Sequence, residues 1–152
     1  LRIHECFRMD TAAAERALRE NALTVKGKGG KVRTVPIEDE RILMMLRKLL
    51  AQTERGHKLL VPDGMPTDRA INALELFIYR YRNGISDEGS DRRLTFHGLR
   101  HTYAAEKYTK LTEDSMSAID AHYAVSRLLG HERADVTNIY LASVRKRGRD
   151  GE

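Results

Sequence analysis

The chain has 152 residues, enough to bury one hydrophobic core and short for two independent ones, so it reads as a single domain. Its 27 Lys plus Arg against 22 Asp plus Glu leave a net charge of +5, a surplus that suits a polyanionic partner such as nucleic acid. The single cysteine, Cys6, excludes an internal disulfide and points to a reducing cytoplasm. No window approaches the ~18 consecutive apolar residues of a membrane span, and no leader pattern opens the chain.

In chain order, Leu1 to Leu18 reads as a helix, Ala-rich after Thr11. Because the chain opens at Leu1 inside that pattern, the natural protein is expected to extend further toward its N-terminus. Ala22–Lys26 and Val32–Ile37 are β-prone runs separated by Gly27-Lys-Gly-Gly-Lys31, which predicts an antiparallel hairpin with a lysine at its tip. Ile42, Leu43, Leu46, Leu49 and Leu50 recur at helical spacing within 38–53, behind the acidic first turn Glu38-Asp-Glu40. Leu59-Leu-Val61 is a short buried segment and a candidate third strand. Thr67 or Asp68 is expected to cap a helix carrying Ile71, Leu74, Phe77, Ile78 and Tyr81 on one side and ending near Asn83-Gly84.

Residues 85–93 read as a polar loop. A helix is expected from Thr95 to about Lys110, a second from about Ile119 to Leu129 stopped by Gly130, and a short third from Ala134 to Ala142. The tail after it, residues 143–152, is basic and without a core of its own. The predicted fold class is mainly α with a small antiparallel β-sheet, an α+β domain over 1–142.

Two segments carry the polar chemistry. In His97-Gly-Leu-Arg100-His101 a helix brings His97, Arg100 and His101 onto neighbouring faces, where a phosphate would meet a guanidinium fork and an imidazole together. A basic surface stripe gives the same spacing. A zinc site through His97 and His101 is disfavoured, because Gly98 stands where the His-Glu-x-x-His pattern has glutamate. In Leu128-Leu-Gly130-His131 the glycine turns the chain so that His131 sits at a helix junction, nine residues before Tyr140. Taken singly, these would be a capping histidine and an ordinary tyrosine.

The strings Thr95-Phe-His-Gly-Leu-Arg-His-Thr-Tyr-Ala104, Leu128-Leu-Gly-His-Glu132 and Asp135-Val-Thr-Asn-Ile-Tyr140 together resemble the C-terminal signature of tyrosine recombinases. Leu1-Arg-Ile-His-Glu5 resembles that family's first arginine motif. Gly27-Lys-Gly-Gly-Lys-Val-Arg33 resembles the hairpin carrying its catalytic lysine. Five pieces in the right order, from residue 2 to residue 140, span nearly the whole chain. The segment from His131 to Leu141 is closest in flavour to phage and integrative-element integrases.

The resemblance implies a role for each residue. Tyr140 would attack the scissile phosphate, leaving a 3′-phosphotyrosyl link, and Arg2 and Arg100 would clamp the non-bridging oxygens. Lys28 would protonate the departing 5′-oxygen, His97 would assist proton transfer at the tyrosine, and His131 would bond a phosphate oxygen or orient the site. Glu5 would hold Arg2 or His97 in place. Lys26, Lys31, Arg33 and His101 would touch DNA. No metal, cofactor or small-molecule substrate is implied. The partners would be double-stranded attachment sites and three further copies in a homotetramer, with a monomer possible for this chain alone, in a bacterial cytoplasm at the nucleoid.

The sequence departs from the family pattern in two places. Arg100 and His131 lie 31 residues apart, a longer interval than in compact members, with the surplus expected in 111–120. The helices that precede the first arginine, and the N-terminal DNA-binding domain, are outside this sequence, so the chain alone is expected to bind DNA weakly and recombine nothing. The rival readings are a type IB topoisomerase, which Leu-Leu-Gly-His disfavours, a non-catalytic DNA-binding descendant, and a metal-dependent hydrolase.

Overall fold

A computed structural model describes residues 1–27, 30–85, 94–131, 137–138 and 141. The order is α1 (Ile3–Phe7), α2 (Thr11–Glu20), β1 (Ala22–Lys26), β2 (Val32–Pro36), α3 (Glu40–Gln52), α4 (Thr67–Ile85), α5 (Phe96–Glu113) and α6 (Ala118–Leu129). The chain packs as two compact units, Leu1–Ile85 and Ser86–Glu152, whose boundary falls at the start of the polar stretch read as a loop. Residues 86–93 of that loop lie outside the described residues, as do most of the expected helix from Ala134 to Ala142 and the tail 143–152.

The expected opening helix is broken in two. Asp10 is extended (φ −101°, ψ 177°) and its side chain accepts the Ala13 N–H at 2.8 Å, so it starts α2 as an N-cap. The break is held from afar. Leu59 N–H donates to the Met9 carbonyl at 2.9 Å, Thr11 N–H to the His57 carbonyl at 3.1 Å, and Gly56 N–H to the Thr11 hydroxyl at 2.8 Å. The candidate third strand is therefore corrected: the pairing is a single bridge between Asp10 and Lys58, and the described sheet has two strands.

The left-handed Asn21 (φ 49°) ends α2 and turns the chain into the hairpin. Strands β1 and β2 pair antiparallel, with Leu23 opposite Val35 and Val25 opposite Arg33. Strand side chains alternate between faces, so Leu23, Val25, Arg33 and Val35 share one face and Lys26, Val32 and Thr34 the other. Burial follows this alternation: Val25 and Val35 are buried, Arg33 half-buried, and Lys26, Val32 and Thr34 exposed.

In the first unit, Ala14, Ala17, Leu46 and Leu59 form one core cluster, supported by Met9, Leu18, Leu23, Ile37, Leu49 and Leu50. Phe7, Ala70 and Ile71 form a second, against which Ile3, half-buried Cys6, Val61, Met65 and Leu74 pack. On α4, Ala70, Ile71 and Leu74 join this core, and Phe77 and Tyr81 are exposed with ring centroids 4.8 Å apart.

In the second unit, α5 packs on α6 around Ala104, Val125, Leu129 and Leu141, flanked by Tyr108 and Leu111. The surplus interval is mostly helix: Leu111–Glu113 prolong α5, a turn follows, and Ser117 caps α6 by accepting the Asp120 N–H at 3.1 Å.

Candidate functional site

The first-unit part of the site is built around one carboxylate. Arg2 is extended (φ −82°, ψ 154°) at the N-cap of α1, and Glu5, three residues on, reaches back so that Oε2 accepts the Arg2 N–H at 2.6 Å. Arg33 arrives from the inner face of the hairpin. Its Nη1 donates to Glu5 Oε1 at 2.8 Å and its Nη2 to Oε2 at 2.7 Å, a fork matched to a carboxylate. Arg2 Nη1 adds a longer contact to Oε1 at 3.4 Å.

Exposure separates the two arginines. The Arg33 side chain is 11% exposed and that of Glu5 5%, whereas Arg2 keeps 40% of its side chain in solvent. Burial by itself pushes the Glu5 carboxyl up. The Arg33 hydrogen bonds, the Arg2 N–H and both positive charges outweigh it and hold the group at about 2. Glu5 thus holds Arg2, one of the two partners expected for it. Arg33, for which a DNA contact was expected, faces inward to Glu5, because its position on β2 alternates onto the face of Val35.

Lys28, the expected general acid, lies outside the described residues. The hairpin base around it is closed by the Gly27 N–H to the Lys31 carbonyl at 2.8 Å, and Gly30 supplies the positive φ (80°) that the reversal requires. Lys26 and Lys31 are exposed at the strand ends, as DNA contacts would be.

The second-unit part depends on how α5 starts and α6 stops. The Thr95 hydroxyl caps α5 by accepting the Gly98 N–H at 2.8 Å, and a Cβ at Gly98 would lie 3.2 Å from that hydroxyl. This cap fixes the turn that places His97 outward and Arg100, one turn on, inward and buried. The His97 and His101 rings meet edge to face with centroids 4.9 Å apart.

Gly130 is left-handed (φ 66°) and ends α6, with the His131 N–H returning to the Ser126 carbonyl at 3.1 Å. That turn delivers His131 to Arg100. The Arg100 Nη2 donates to the Leu129 carbonyl and contacts His131 Nε2 at 3.4 Å, while His131 Nδ1 lies 2.9 Å from the Thr137 hydroxyl. Arginine only donates, so Nε2 is the acceptor and the ring proton sits on Nδ1, directed at Thr137. Arg100, His131 and Thr137 form one connected chain, and Thr137 is fully buried. Tyr140, three residues beyond Thr137, lies outside the described residues.

A family model described as the phage integrase family matches residues 1–147. The chain belongs to the phage integrase family. Over 130 residues it is 28% identical to the tyrosine recombinase XerD of Pseudomonas putida, an alignment covering 81% of this chain and 39% of that protein. A crystal structure of XerA recombinase shares its fold with a TM-score of 0.66 over 99% of this chain and 53% of that one, at 19% identity. The chain therefore spans about half the length of this structural neighbour or less of XerD. The mainly helical architecture with a two-stranded antiparallel sheet is that shared fold.

Three pairings in this phage integrase-family chain lie beyond the sequence expectations, that of Arg33 with Glu5 and two in the second unit. Thr137 holds His131, and the Leu129 carbonyl holds Arg100. A hydroxyl six residues after His131 gives no periodic signal, and a backbone acceptor gives none of any kind. The Arg33–Glu5 fork did carry a signal, the alternation of Arg33 with Val35 along β2.

Proposed function

We propose that the chain is the catalytic domain, over residues 1–142, of a site-specific DNA recombinase that cuts and rejoins strands through Tyr140. The observation that carries this reading is the buried Arg100, fixed by the Leu129 carbonyl and by a neutral His131 that Thr137 orients. A permanently charged planar fork, held rigidly, suits the charge that builds on a five-coordinate phosphorus.

In the proposed step the Tyr140 oxygen forms a bond to the scissile phosphorus as the bond from phosphorus to the 5′-oxygen breaks. The phenolic proton passes to His97, and the 5′-oxygen takes a proton from Lys28. A free tyrosine has a pKa of about 10, so the nucleophile depends on this assistance at neutral pH. Arg2 and Arg100 grip the non-bridging oxygens, Glu5 holds Arg2, and Lys26, Lys31 and His101 contact the duplex. The phosphotyrosyl bond conserves the energy of the broken one, and a 5′-hydroxyl from another strand reverses the step.

We read the DNA as the attachment site of an integrative element, bound by a homotetramer at the bacterial nucleoid. The resemblance of the segment from His131 to Leu141 to integrases of such elements supports this, and the basic residues 143–152 are its candidate segment for contacts between copies.

The test is covalent capture. The chain is incubated with a pool of nicked duplexes randomised on both sides of the nick, and adducts are collected on a denaturing gel. The expected result is a DNA-linked protein whose bond maps to Tyr140, insensitive to chelator and absent in Tyr140→Phe. An adduct that persists in Tyr140→Phe overturns the assignment, and the recovered sequences define the site.

A further inference from the structure

We infer that Arg33 is a positioning residue for Arg2, acting through the shared Glu5 carboxylate and not by touching DNA. The inference rests on the strand-transfer reading above and deepens it for one side of the phosphate.

The geometry is that of a three-part splint. Glu5 offers two oxygens, and each receives one donor from Arg33 and one from Arg2, the Arg33 pair being 2.8 and 2.7 Å long and the Arg2 pair 3.4 and 2.6 Å. A five-residue helix such as α1 is too short to hold its own N-terminus firmly. Arg33 comes from 28 residues away, on a strand whose register is set by the buried Val25 and Val35. It therefore ties the end of α1 to the rigid part of the hairpin.

The hairpin backbone also passes close to both guanidiniums. A Cβ on Gly27 would stand 3.5 Å from Arg33 Nη1 and 3.7 Å from Arg2 Nη1, so the two forks flank one glycine. Like charges this close are held together by the carboxylate between them. Arg33 is matched to Glu5 and withdrawn from solvent, whereas Arg2, paired to the same carboxylate at 3.4 Å, keeps the more exposed side chain of the two. Removing Arg33 leaves Glu5 to pair with Arg2 alone, which pulls that guanidinium inward and lowers its grip on phosphate.

The test uses the full chain and a nicked duplex of a sequence recovered from the randomised pool. Wild type must first form the Tyr140 adduct; failure there overturns the strand-transfer reading and this inference with it. Given that adduct, Arg33→Gln is expected to cleave on the order of 100-fold more slowly at saturating DNA. DNA affinity and its salt dependence should stay at the wild-type value. A second substrate carries a methylphosphonate at the scissile position, as separate diastereomers, so that one non-bridging oxygen has no charge to grip. On one diastereomer the gap between wild type and Arg33→Gln should narrow, because a misaimed Arg2 then matters less. Arg33→Lys keeps the charge without the fork and should show the same narrowing, which serves if Arg33→Gln does not fold. The inference is overturned by a rate at saturation equal to wild type, with weaker binding and a salt slope reduced by about one ion, the mark of a phosphate contact. It is equally overturned if the gap is the same on every substrate, the mark of a purely structural role.

Discussion

His131 and Thr137 are joined by a 2.9 Å hydrogen bond between the imidazole Nδ1 and the threonine hydroxyl, and this bond turns the Nε2 edge of the ring toward Arg100. Thr137 is fully buried, so no solvent replaces it. Thr137→Val keeps the shape and removes the acceptor. The variant is expected to lose about 1–3 kcal/mol of stability, since a buried N–H is left without its partner. Adduct formation should slow by roughly tenfold as the imidazole loses its fixed orientation, with DNA affinity unchanged. Thermal melting and single-turnover cleavage, measured side by side, check both parts.

Glu5 predicts an acid transition. Its carboxyl is held at about 2 in the folded chain against an ordinary value of 4.5. The unfolded chain therefore binds the proton first as pH falls. The stabilisation is complete above about 4.5 and is lost on the way down to about 2, a total on the order of 3 kcal/mol. Glu5→Gln should remove this acid dependence. At neutral pH it should also destabilise the chain by roughly 3–5 kcal/mol, because Arg33 is left buried without its carboxylate. Urea melts between pH 2 and 7 distinguish the two chains.

Gly130→Ala tests the turn that delivers His131. At φ 66° a Cβ is strained, at a cost of about 1–2 kcal/mol. The alanine chain should melt lower. It should also cleave more slowly than its stability loss explains, since the His131 N–H bond to Ser126 depends on that turn.

Arg100→Lys separates charge from shape. A lysine retains the positive charge but cannot serve the Leu129 carbonyl, His131 and a phosphate oxygen with one planar group. Adduct formation should fall roughly 100- to 1,000-fold, the scale of losing an aimed donor at a transition state. A change below tenfold would contradict the clamp role.

These residues also show what could be read from the chain alone. The helices α3, α5 and α6 and the hairpin follow from local spacing, caps and glycines, and the sequence places them correctly. The break at Asp10 was hidden because the alanines after Thr11 continue a helical pattern, while the groups that stabilise the break come from Gly56, His57 and Leu59, far along the chain. The Arg33–Glu5 pairing is masked because a charged residue in a basic motif suggests solvent, although its two-residue offset from Val35 places it on the inner face. Long-range hydrogen bonds leave no periodic trace, and Thr137 is of that kind.

The acceptor for Arg100 on α6 belongs to the main chain of Leu129, whose side chain is 1% exposed in the core of the second unit. The two halves of this residue therefore answer to different pressures. Substitution at 129 alters the packing, and a Leu129→Ala chain would be less stable, yet every amino acid brings the same carbonyl. One apolar side chain can thus be exchanged for another in this core, while the arginine's anchor stays with the backbone path itself.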